Sequence, residues 1–167
     1  MSNVERDTSI GKIERNFSVS EPVLVVVKPK GFVRWCNLPY PKHPNGCPNF
    51  GVREDCPPNI EYFLDVYKPE VRIAALSFDF GEYLNLRHEI HPDWTERALR
   101  NPRHFQGHLK AALKNFVVNF NVPGYVSEFS PEAMGVNLHL TCKKAGIELE
   151  WPPTNRMYRI ALLAQPI

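Results

Sequence analysis

The sequence predicts an α+β domain: a mixed or mostly antiparallel sheet covered by helices, with a Pro/Cys-rich metal-binding loop. Strand-like runs near both ends of the chain with helical periodicity between them predict the sheet and its cover, and a proline-stiffened segment carrying three of the four cysteines predicts the loop. At 167 residues and 43% hydrophobic, the chain is long enough to bury roughly two thirds of its unfolded surface as one domain.

Residues 1–20 mix charges with Ser, Asn and Thr and read as a flexible N-terminal arm, with the domain occupying 21–167. Pro22 opens the β-branched run Val23–Val27, which suits a strand buried on both faces. Phe32–Trp35 reads as a second short strand entering the loop. After Pro57-Pro58, Asn59 can cap a helix that buries Tyr62, Phe63 and Val66 and stops at Pro69. Val71–Phe80 is a central strand with Ala74, Leu76, Phe78 and Phe80 on one face, and its other face turns polar at Ser77 and Asp79.

Asp93 and Glu96 read as a capping box, and Asn101-Pro102 as a kink or restart. Phe105, Leu109, Ala112, Leu113, Phe116, Val117 and Phe120 then mark the clearest amphipathic helix, broken at Asn121–Gly124. Ser130-Pro131-Glu132 starts another, with Met134, Leu138, Cys142 and Ala145 one turn apart and Gly146 at its stop. Ile147–Trp151 and Arg156–Gln165 are strand-like.

The loop runs from Trp35 to Pro58 and contains Pro39, Pro41, Pro44, Pro48, Pro57 and Pro58. Proline fixes φ and removes a donor, so the segment makes neither regular helix nor central strand. Ordering it costs about 1–2 kcal/mol per residue in backbone entropy, and a metal or cluster held by Cys36, Cys47 and Cys56 would offset that. Zinc knuckles place paired cysteines two to four residues apart, and no such pair exists here. The longer spacings fit an iron–sulfur cluster, with metal corners further apart, and Cys-Pro pairs at Cys47 and Cys56 also occur in ferredoxin runs. Zinc and three free thiols remain alternatives. Cys142 is a fourth ligand or a buried core thiol, and His43 a ligand or a turn residue. Three protein ligands to a [4Fe–4S] cluster leave one iron open as a Lewis acid, whereas four argue for structure or electron transfer. Glu54 and Asp55, beside Cys56, are the nearest acid/base candidates.

The pieces Cys47–Gly51 (CPNFG), Cys56–Pro58 (CPP), Pro131–Asn137 (PEAMGVN) and Lys143–Glu150 (KKAGIELE) resemble a family of uncharacterised, predicted metal-binding proteins of archaea and anaerobic bacteria. The resemblance covers most of the chain from Trp35 onward and implies a cluster site at Cys36, Cys47 and Cys56. Relatives carry further cysteines before the PEAMG-like segment, resembling a second site. This chain has none across Asn121–Ser130. The resemblance implies no established reaction.

Between Arg87 and Lys114 six Lys or Arg accompany His88, His91, His104 and His108. Arg87, His88, Arg103, His104 and His108 are candidate contacts for a substrate or for the phosphate of a nucleotide or RNA, against the plainer reading of a solvated face. A net charge of +2 and a pI near 8.4 are too mild for a general nucleic-acid binder. Phosphate-loop, dinucleotide and nucleophile-elbow motifs are missing. The N-terminus lacks the apolar run of a signal peptide and no stretch is long enough to span a bilayer, so the expected location is cytoplasmic, without membrane contact. The leading expectation is an iron–sulfur enzyme of lyase, hydrolase or desulfurase type, acting on a small sulfur-containing or nucleobase-like substrate. The alternatives are a zinc- or cluster-stabilised module that binds RNA or protein, and an electron-transfer protein with a redox partner.

Overall fold

The computed structural model describes residues 9–167. They form an α+β fold built on an open antiparallel sheet of five strands, with seven helices among the described residues. The chain opens with α1 (Ser9–Lys12) and β1 (Arg15–Val19). Residues 9–19, read from the sequence as part of a flexible arm, are thus structured, and Ile10 and Ile13 are buried. The first eight residues of that arm lie outside the described residues.

The edge strand β2 is only Val23–Leu24. It was expected to run to Val27 with both faces covered. Instead Val25 N–H donates to Pro69 O (2.8 Å), Val26 O accepts from Asn137 N–H (2.7 Å), and the segment is only half-buried. Then α2 (Arg34–Asn37) replaces the expected strand at Phe32–Trp35. α3 is one turn, Phe63–Val66, and Asn59 does not cap it. The Asn59 amide donates to Arg53 O instead.

β3 (Tyr67–Asp79) is the longest strand and contains Pro69, which the sequence placed at a helix end. Residues 73–78 are buried on both faces. β1 and β2 both pair with β3, with Val19 opposite Ala74 and Val23 opposite Val71. Ser20 completes the step to β2: its N–H donates to Ile73 O and its Oγ accepts from Ile73 N–H, both at 2.9 Å.

Asp79 caps α4 (Phe80–Ile90), its Oδ1 accepting from Glu82 N–H at 2.8 Å. α5 (Glu96–Leu99) is capped by Thr95 rather than by Asp93. Asn101 caps a short 3-10 turn, Pro102–His104, which leads into α6 (Gln106–Phe120). As the periodicity predicts, Leu109, Leu113 and Val117 are its buried residues, and Asn121 ends it in the left-handed region at φ 31°.

β4 (Val126–Glu128) follows. The helix expected from Pro131 is broken at Gly135 (φ 91°) into a 3-10 turn and α7 (Leu138–Lys144). A Cβ on Gly135 would sit 2.8 Å from the Tyr62 ring, so glycine is required there. β5 (Arg156–Pro166) closes the chain, giving a strand order β1-β3-β5-β4. No strand forms at Ile147–Trp151.

The chain gathers into two compact units. Among the described residues, one comprises 9–19, Ala74–Asn121 and Leu149–Ile160. Its core is an aromatic cluster in which Phe78, Tyr83 and Phe105 meet edge to face at 5.2–6.0 Å between centroids. The other comprises Ser20–Ile73, Val122–Glu148 and Ala161–Ile167. Phe63, Val71, Val136, Cys142 and Leu162 are buried in it, and it carries the whole cysteine loop. No helix among the described residues is long and apolar enough to cross a membrane.

Candidate metal centre

Of residues 31–60, all described, only Gly46 is buried. The loop is therefore held by turns rather than by a core, and the cysteines stand at those turns. Cys47 N–H donates to Cys36 O at 2.7 Å. That approach depends on Gly46, whose φ is 87°. A Cβ there would run into Cys36 O and stand 2.9 Å from Asn37 Cα.

Cys47 and Cys56 each begin a four-residue turn with proline second, and the Cys56 turn contains the cis Pro57-Pro58 bond. Cys47 O accepts from Phe50 N–H at 3.1 Å and Cys56 O from Asn59 N–H at 3.0 Å. Gly51 N–H donates to Pro57 O at 2.9 Å and ties the two turns together. The Cys-Pro pairs thus work as turn formers that hold the two cysteine segments against each other.

All four cysteines are free thiols. Burial pushes the Cys36 thiol up, and the like charges of Cys47 and then Cys56 push it further. The ammonium of Lys28 acts in the opposite direction. Cys36 thus lies within range of charge on both Cys47 and Cys56. Among the described residues no three His, Cys, Asp or Glu side chains form a group arranged to hold a metal ion.

Lys28 also faces two rings, with its ammonium 5.3 Å from the Phe32 centroid and 5.8 Å from that of Trp35. His43 lies over Tyr40 at 4.5 Å between rings, and the two residues exchange backbone hydrogen bonds. Cys142 is elsewhere. It is fully buried on α7, its thiol is pushed up to about 12 by burial and then by Glu132, and it is absent from the charges that act on Cys36. Asp55 is held in a fork by Arg53 Nε and Nη2, both at 2.7 Å. Glu54 is exposed.

The candidate Arg/His contacts divide. Arg87 is fully buried and its guanidinium carbon lies 4.6 Å from the Trp94 ring centroid. His91 stacks on Trp94 at 4.0 Å and 12°, and His104 approaches it at 5.1 Å. Burial, then the charges of Arg87 and His91, hold His104 below its ordinary value. His88, Arg103 and His108 are exposed. Trp94 was missed because it marks no motif; the only hint was the one-turn spacing of Arg87 and His91.

The fold and the thiol loop together define an α+β protein with a cysteine-rich loop that has almost no core. No family model, curated protein or solved structure matches this chain.

Proposed function

We propose that Cys36, Cys47 and Cys56 hold a [4Fe–4S] cluster through three thiolates, leaving one iron for a small-molecule substrate. The observation that supports this reading is that Cys36 lies within range of charge on both Cys47 and Cys56, in a stretch of loop where Gly46 alone is buried. Charge on Cys47 or Cys56 disfavours the Cys36 thiolate, and Lys28 acts in the opposite direction. A cationic metal centre removes that penalty and binds the deprotonated form directly. The ten- and eight-residue gaps, each spanned by turns, suit a centre larger than one zinc ion.

The open iron follows from the ligand count, because Cys142 is sequestered in the core. An open position of this kind polarises a bound oxygen, nitrogen or sulfur. With Asp55 committed to Arg53, Glu54 is the carboxylate we assign to proton transfer. The resemblance of the CPNFG and CPP pieces to predicted metal-binding proteins supports the same three ligands.

Anaerobic purification with iron, sulfide and zinc quantification tests the reading. About four iron and four sulfide per chain are expected. One zinc and no sulfide would overturn it in favour of a zinc-stabilised module.

A further inference from the structure

A surface cavity of about 490 Å³, within the size range of small-molecule sites, lies in the same compact unit as the thiol loop but is lined by other residues. Its apolar lining includes Ile60, Val66, Val126 and Met134. Its polar groups are Glu61, Glu128 and Tyr67, and none of its lining residues is Lys, Arg or His. Val126 and Glu128 are two apart on β4 and so share a face, which sets a methyl-bearing surface beside a carboxylate. Glu128 is fixed there, its Oε1 accepting from Ser130 N–H at 3.2 Å. Tyr67 is fixed by its ring, 5.0 Å from that of Phe63. Burial, then Glu128, then Glu61 raise the Tyr67 phenol, which stays a neutral hydroxyl.

We propose that this cavity binds a primary ammonium carried on a short aliphatic chain. The two carboxylates and the phenol oxygen supply acceptors for the three N–H donors of such a group, and the apolar walls take its methylenes. A hydrated divalent ion would want oxygen ligands on all sides and would leave those walls unused. The proposal is independent of the thiol site, and failure of either leaves the other standing.

The test is titration of the full chain with methyl-, propyl- and butylammonium chloride at constant chloride, followed by NMR shifts. Affinity should rise about two- to fourfold per methylene. Butanol should bind at least about tenfold more weakly than butylammonium. Glu61→Gln, at an exposed position, should weaken butylammonium about three- to tenfold while leaving the circular dichroism unchanged. A flat chain-length series, equal binding of butanol, or unchanged affinity in Glu61→Gln and Glu128→Gln would overturn the proposal. So would calcium chloride shifting the same resonances as strongly as butylammonium.

Discussion

At the Cys36 thiol, two neighbouring thiols and one ammonium pull in opposite directions. Removing the ammonium raises the thiol further, so Lys28→Met in metal-free protein should slow iodoacetamide labelling of Cys36 severalfold at mildly alkaline pH. Cys56→Ser removes a like charge and should speed it; peptide mapping by mass spectrometry reads both. Equal rates in all three proteins would mean that the thiols do not sense one another. Glu150 is a different case. Its Oε2 accepts from Asn155 N–H (2.8 Å), Thr154 N–H (2.9 Å) and Thr154 Oγ (3.0 Å), which lowers its carboxyl from 4.5 to about 2. A depressed carboxyl stabilises the fold above its unfolded value, and the contribution disappears as pH falls from 4.5 toward 2. Glu150→Gln should therefore lower the denaturation midpoint at neutral pH and flatten its decline over that acid range. The thiols were legible in the sequence as a spacing pattern. The Glu150 turn was not, because IELEW reads as a strand until the backbone N–H groups of residues 154 and 155 turn back onto the carboxylate.

Among the elements, α7 fixes the segment that follows β2. Thr141, fully buried, donates its hydroxyl proton to Asn137 O at 2.8 Å and accepts from Val26 N–H at 3.0 Å. Thr141→Val keeps the shape but strands the Val26 N–H, and should cost about 1–3 kcal/mol in urea denaturation. No loss would mean that Val26 finds another partner. This contact also explains why the Val23–Val27 run leaves the ladder: Val25 N–H still reaches Pro69 O on β3, but at Val26 the backbone groups bond to α7 and its cap. β5 and the part of β3 from Val71 were legible as continuous apolar runs, and α6 by its helical period. α4 was missed because its buried residues are Phe80, Tyr83 and Arg87, and a buried arginine breaks an apolar stripe.

For the molecule as a whole, the α+β class follows from strands near both ends of the chain, whereas the five-strand order and the participation of residues 15–19 depend on long-range pairing that local patterns do not encode. In the loop from Trp35 to Pro58, backbone turns set the cysteine segments against one another, and only Gly46 is buried. The most direct measurement is metal content per chain for anaerobically purified wild type and for Cys36→Ser, Cys47→Ser, Cys56→Ser and Cys142→Ser. The account predicts bound iron and sulfide in wild type and in Cys142→Ser, with loss in each of the three loop variants. Wild-type protein without metal under these conditions, or loop variants that retain the full content, would contradict it.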